Sequence, residues 1–248
     1  MKWSFQKKSV QSSASPVREQ NLRVLKQRGF LVAPSLPERG VEDAAVLRPI
    51  DEIAGRLAAL NAVFAYAAAP ETAVPSRPLL QLIKAGGLAA HMTPTEREII
   101  ALTRKEAGDE HGGTVGWRTE NAFALAWILG HDRDLTPDGT MLGGEQIKVL
   151  ATQWPPIDGA KFAAWKAALR PRPIEEIAAM EDLFYCAHNA ARSAQVEMME
   201  AKGKPVRFNT VPRGFDPVAG AGVIYERRHA LTWAVSPGVA WDDTDLST

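Results

Sequence analysis

The sequence is poor in the residues that staple a small protein or mark it for a membrane. It has one cysteine, Cys186, so no intramolecular disulfide and no multi-cysteine metal site can form. That usage suits a reducing compartment. No stretch reaches the roughly 18 apolar residues of a membrane span, and no apolar run follows the early lysines of MKWSFQKKSV as it would in a secretory signal. Neither sign of charge is in excess. The 29 Lys+Arg balance 29 Asp+Glu, which argues against a broad surface for nucleic acid or anionic lipid, although a local patch stays open. There is no Gly-x-x-x-x-Gly-Lys phosphate loop, Gly-x-Ser-x-Gly elbow, His-Glu-x-x-His helix or EF-hand loop. The glycines near Gly86, Gly112, Gly143 and Gly220 lack the strand-then-helix setting of a dinucleotide site.

What remains is an ordinary globular chain. Its 248 residues, 46% hydrophobic and 23% charged, can bury a substantial core unaided. Residues 1–16 read as a flexible tail and residues 17–248 as one α-helical domain. Pro16 opens a helix that Gly29 closes. Residues 30–40 are irregular, with room for a short strand. Pro49, placed at a first helical position with Asp51 and Glu52 behind it, starts a helix whose core stripe is Ile53, Leu57, Leu60 and Phe64. A short helix is expected around Leu79 to Lys84, and the capping box at Thr93 and Glu96 starts another that runs through Arg104. Residues 108–116 read as a loop, 117–130 as a helix, 131–144 as a loop and 160–169 as a helix. The longest helix begins near Pro173 and ends at Gly203, with Ile177, Met180, Phe184, Ala187, Ala191, Ala194 and Met198 as its seam. Residues 206–222 are irregular, a last helix covers 223–235, and an acidic tail follows. The expected fold is mainly α, a single helical domain with irregular Pro/Gly-rich connections and at most a minor β element. PIDEIA at Pro49 returns as PIEEIA at Pro173, which reads as two helices with one start grammar.

Charges on apolar faces carry the most information. Glu120 falls in the middle of the face formed by Trp117, Phe123, Ala124, Trp127 and Ile128. Arg227 falls within the face of Val223, Ile224, Ala230, Leu231 and Ala234, with Glu226 at its edge near Trp233. An unpaired buried charge is costly, so Glu120 and Arg227 are expected to pair, as a register-fixing ion pair or as part of a charged pocket. Arg228 points elsewhere and reads as solvated. On the long helix Glu181, Tyr185, His188 and Arg192 step by four, three and four along one ridge. They form either a hydrogen-bonded strip at a helix interface or a group suited to acid/base work and anion binding. Cys186 reads as a buried structural thiol. His91, His111, His131 and His229 are scattered, and the clusters Asp109-Glu110-His111 and His131-Asp132-Arg133-Asp134 read as solvated loops without metal spacing. Asp242, Asp243 and Asp245 read as a solvated acidic tail, pinned to the body by Trp241. Lys2, Lys7 and Lys8 lack the interleaved aromatics of a strand-binding groove.

LKQRGF with its later LP, LRPIDEIAGRLAAL, WRTENAFALAWILG, the PIEEIAAMEDLFYCAH helix, and ERRHALTWAV followed by WDDTDLST occur in that order. Together they resemble an uncharacterised bacterial family, the domain of unknown function numbered 4272, over nearly everything after Pro16. The resemblance implies a bacterial, cytoplasmic, single-domain protein and brings no activity with it. At His188-Asn189-Ala190-Ala191-Arg192 the chain departs from the Trp and Ala usual in that family, so the resemblance lends the ridge no catalytic role. The leading expectation is a non-enzymatic helical interaction protein, an adaptor or a protein that neutralises another as an immunity protein does a toxin. The alternative is a small hydrolase or transferase using Glu120, His188, Arg192 and Arg227. Its expected partner is another protein, not nucleic acid or membrane; neither a cofactor nor a metal is expected.

Overall fold

The computed structural model describes residues 14–38, 45–131, 134–152, 155 and 159–248. The Ser15 hydroxyl accepts from the Arg18 N–H and opens α1 (Pro16–Gln27), and Gly29 at φ 88° lets the chain turn away behind it. The expected 1–16 tail falls outside the described residues through 13, and its end differs, since Ser15 and Pro16 belong to this helix start. α2 (Ile50–Ala67) begins directly after Pro49, and α9 (Ile174–Glu200) directly after Pro173. Both prolines therefore sit at the cap, one position before the first helical residue. Between them lie α3 (Ser76–Ala85), a 3-10 turn at Leu88–His91, α4 (Pro94–Ala101), α5 (Arg104–Trp117), α6 (Thr119–Ile128), α7 (Gly144–Thr152) and α8 (Gly159–Ala168). α10 (Ala219–Ala234) follows α9. The fold is mainly α, and the described residues contain no strand.

Other boundaries differ from the sequence reading, and α7 has no counterpart in it. The Thr93 helix stops at Ala101, because a second capping box, Thr103 with Glu106, starts a new helix at once. That helix, α5, runs through the glycine-rich residues 108–116 expected to be a loop. Packing on α2 overrides their poor propensity, and Gly108 permits a close approach: a Cβ there would lie 3.1 Å from the Ala67 carbonyl oxygen. Trp117 consequently ends α5 instead of opening the next helix, and it is half-buried, not a core residue. α10 starts at Ala219, inside the segment expected to be irregular, with the Asp216 carboxylate accepting from the N–H groups of Val218 and Ala219.

The core has two parts, joined by α2. Leu25, Ile53, Leu57, Trp127, Phe184, Ile224 and Leu231 form the larger part, from α1, the start of α2, α6, α9 and α10. Val63, Tyr66, Leu79, Ile99 and Val115 anchor the smaller one, where the rest of α2 meets α3, α4 and α5. α2 is buried on nearly every side, so any polar side chain within it must find a protein partner. After α10 the chain folds back over the body, with Trp241 buried against Trp233 and His229 at ring separations of 5.1 and 4.4 Å. No helix among the described residues is long and apolar enough to cross a membrane.

Candidate functional site

α6 and α10 pack against each other, and this brings Glu120 to Arg227. Arg227 Nε and Nη2 lie 2.9 and 2.8 Å from Glu120 Oε2, and both side chains are buried. Arg227 also donates to the carbonyls of Thr136 and Thr140, and Glu120 Oε1 accepts from the Leu142 N–H at 2.8 Å. The pair thus fastens the loop between α6 and α7 to the helices, with Leu135 and Leu142 buried beneath it.

The α9 ridge is divided. Glu181, Tyr185 and His188 are buried, whereas Arg192 is exposed and donates to Gln195 at 2.6 Å. Glu181 accepts from the Thr232 hydroxyl at 2.8 Å. Tyr185 lies under two guanidiniums, Arg18 at 5.4 Å and Arg228 at 4.8 Å. Arg228, expected in solvent, is fully buried. Its Nη1 lies 2.6 Å from His188 Nδ1, and its Nη1 and Nη2 donate to the carbonyls of Leu246 and Ser247 at 2.8 and 3.2 Å. The segment after α10 covers this arginine, a long-range contact that helical periodicity on α10 cannot show. A guanidinium only donates, so His188 Nδ1 accepts and its proton resides on Nε2. Burial, then the charges of Arg228 and Arg192, pushes the His188 pKa down to about 3. A neutral imidazole locked in this way is a poor proton shuttle near neutral pH.

Sequence reasoning missed a second charged centre. Glu96, fully buried on α4, accepts from Arg56 Nη1 and Nη2 at 2.6 and 2.8 Å, from Arg118 Nη1 at 2.6 Å and from the Thr93 N–H at 3.0 Å. Burial alone would raise its pKa. The Arg56 bonds and charge, the Thr93 N–H and Arg118 more than offset this, and the carboxyl stays below its ordinary value. Two signals were available: Arg56 is a lone cation in an otherwise apolar stretch of α2, and Glu96 has no competing surface partner. The capping box explained Glu96 well enough to hide its second role.

Around this centre lie two clefts, separated by Trp241 and Asp242. One, of about 530 Å³, is lined by Trp117, Arg118, Asn121, Tyr225, Glu226 and His229. The other, of about 410 Å³, is lined by Arg48, Glu52, Arg56, His91 and Trp233. The Arg56 guanidinium lies 4.2 Å from the Trp241 ring centroid and Arg48 lies 4.2 Å from that of Trp233. Arg48 also takes up the carbonyls of Trp233 and Ser236 at 2.9 and 2.6 Å, and that of Val239, closing the end of α10. In the larger cleft burial raises the Glu226 carboxyl above its ordinary value and nearby Glu120 adds to this, while Asn121 and Arg118 pull partly back. Asn121 Nδ2 donates to the Glu226 carbonyl at 2.6 Å. His229 Nε2 lies 2.9 Å from the Trp241 carbonyl, an acceptor, so this nitrogen carries the proton; burial lowers its pKa. Tyr225 stands 43% exposed at the rim.

Other residues weighed from the sequence fall elsewhere. Cys186 is buried within α9, where burial pushes its thiol up to about 12. Asp109, Glu110 and His111 lie on helix α5 and not in a loop, while Asp242, Asp243 and Asp245 are exposed. Lys2, Lys7, Lys8, Asp132 and Arg133 are outside the described residues. Among the described residues no three His, Cys, Asp or Glu side chains are grouped to hold a metal ion. No curated protein and no solved structure matches the chain. The model of one family, described as Domain of unknown function (DUF4272), does match, over residues 18–244, and the protein belongs to that family.

Proposed function

We propose that the protein is a non-enzymatic binding protein and that the cleft beside Trp241 docks a partner protein. The observation that carries this is the lining of that cleft. Trp117, Tyr225, Trp241 and Arg118 are of the three residue types that dominate binding energy at protein interfaces, gathered around a depression with Asn121 and Glu226 for polar anchoring. The residues named for the hydrolase or transferase alternative lend it less support, because Glu120, His188 and Arg227 are buried and held by internal partners while Arg192 is exposed. A cytoplasmic adaptor or immunity-type protein of a bacterium fits this reading and the single reduced thiol.

The test is affinity capture from the cell of origin with the wild-type chain, Tyr225→Ala and Arg192→Ala. A partner retained by wild type and by Arg192→Ala, and reduced about tenfold or more by Tyr225→Ala, supports the docking site. Equal capture by all three sinks it. Discovery of a turnover activity abolished by Glu226→Gln would move the cleft to the enzyme class, with the Glu226 carboxyl as its acid.

A further inference from the structure

Many of the described arginines are held by their own chain: Arg18, Arg48, Arg56, Arg104, Arg118, Arg172, Arg227 and Arg228 all donate to carboxylates, carbonyls or a ring nitrogen. Arg28, Arg207 and Arg213 are different. They are exposed, and among the described residues no side-chain partner engages them. They gather at one place. The chain from 20 to 37 carries Arg23, Lys26 and Arg28 without an acid, and the chain from 201 to 215 carries Lys202, Lys204, Arg207 and Arg213 without one. These two segments lie side by side. The Leu31 N–H donates to the Thr210 carbonyl at 2.9 Å, and a Cβ on Gly29 would meet Pro212 at 3.3 Å. A cleft of about 500 Å³ runs along residues 206–215, and a second of about 320 Å³, lined by Arg28, Phe30 and Asp138, shares Pro212, Arg213 and Phe215 with it.

We infer that this platform binds an acidic peptide segment of a partner protein, with carboxylates on Arg28, Arg207 and Arg213 and an apolar side chain between them. Charge complementarity names the occupant, because unpartnered cations in a chain of zero net charge attract a local anion most strongly where they outnumber the acids. The three neighbouring carboxylates keep their charge but are outnumbered by the seven cations of the two segments, and their oxygens are engaged by neutral donors of the chain. Asp138 is occupied by the Thr136 hydroxyl and the Thr140 N–H, Asp216 caps α10, and Glu197 accepts from the Asn209 N–H. Between the cations the surface is apolar, with Leu31 51% and Val206 38% exposed. A peptide suits it better than a nucleic-acid strand. Phe208 and Phe215 are half-buried, Phe215 stands edge-on to Phe30 at 5.5 Å, and a stacking strand needs open ring faces.

The inference goes beyond the docking cleft, with which the platform shares no residue, so each can fail alone. The probe is a fluorescein-labelled ten-residue peptide of Glu and Asp with one central Phe, followed by anisotropy with the purified full chain. Saturable binding is expected, weakened about tenfold or more between about 50 and 300 mM salt, and similarly by Arg207→Glu with Arg213→Glu. Tyr225→Ala should leave it unchanged. All three arginines are exposed, so the fold is expected to survive, and Arg28→Gln gives a milder check. Absence of saturable binding, or binding indifferent to the arginine variants, would overturn the inference. So would tighter binding of a single-stranded oligonucleotide of equal charge, or a dimer of the protein that Arg207→Glu dissociates, since each names a different occupant.

Discussion

Glu120 and Glu96 are both carboxylates buried in a helical core, and each is neutralised by arginine, yet they serve different ends. Glu120 faces one guanidinium, and both members of the pair direct their remaining bonds to the backbone of one loop. Every charge there is used internally. Glu96 sits between two guanidiniums, one carboxylate for two cations, and both arginines line surface clefts. Arg56 lies under Trp241, while Arg118 is 22% exposed at the rim. The first centre is a clasp. The second props a surface, because the buried carboxylate fixes two cations at places where a partner can reach one of them.

The largest test of that difference is Glu96→Ala. It strands two arginines and removes the acceptor for the Thr93 N–H, so the loss of stability should reach the upper end of the roughly 3–5 kcal/mol expected for breaking a buried pair. Arg227→Ala should cost less within that range, because it strands one carboxylate that keeps the Leu142 N–H. Urea unfolding of both variants decides the order, and a smaller loss for Glu96→Ala would break the comparison. Combining Glu120→Leu with Arg227→Met should restore only part of the loss. Two loop carbonyls and the Leu142 N–H then lose partners, at about 1 kcal/mol each. Full recovery would mean that the loop contacts contribute nothing.

The same two centres show where the sequence is legible. Glu120 and Arg227 each fall in the middle of an apolar face at helical spacing, so the sequence exposes them as charges in need of partners, although α6 is buried all round. α2 is likewise buried nearly all round, but Arg56 lies at the flank of the stripe of Ile53, Leu57, Leu60 and Phe64 and not in its middle, so its signal is weaker. The starts of α2, α4 and the long α9 were readable because Pro49, Thr93 and Pro173 punctuate the chain, whereas α7 has no counterpart in the sequence reading. The course of α5 through Gly108, Gly112 and Gly113 was not, because its local composition argues for loop and only packing on α2 decides otherwise. Arg228 was misread for a related reason. Its partners, His188 and the carbonyls of Leu246 and Ser247, come from distant parts of the chain, and backbone acceptors leave no signature in residue type.

Acid should separate the buried polar groups in turn. His188 has a folded pKa of about 3, below its unfolded value near 6.5. The unfolded chain therefore binds the extra proton between those values. The stability tied to neutral His188 is complete above about pH 6.5 and is lost as pH falls toward 3, at up to about 1.4 kcal/mol per pH unit. Glu96, whose pKa is lowered, adds its own loss only below its ordinary carboxylate range. Melting temperatures between pH 7 and 4 should fall for wild type and less steeply for His188→Asn, which keeps an acceptor for Arg228 but cannot titrate; the remaining slope belongs to His229 and His91, whose pKa values burial also lowers. An unchanged slope in that variant would show that His188 becomes solvated before it titrates.

Cys186 should give the smallest effect and so marks the floor of the comparison. Its sulfur is buried beside the same ridge, and with a pKa pushed up to about 12 it carries almost no thiolate at pH 8. Iodoacetamide should leave the native protein unmodified over hours and label it fully in urea. Cys186→Ser should cost at most about 1–2 kcal/mol, because the hydroxyl can turn to a carbonyl one helical turn back. Rapid native labelling would mean that α9 opens locally well below the cost of global unfolding. The Glu181, Tyr185 and His188 strip would then be an intermittently open pocket, and the separation of an inward-facing polar core from an outward-facing docking surface would fail at that helix.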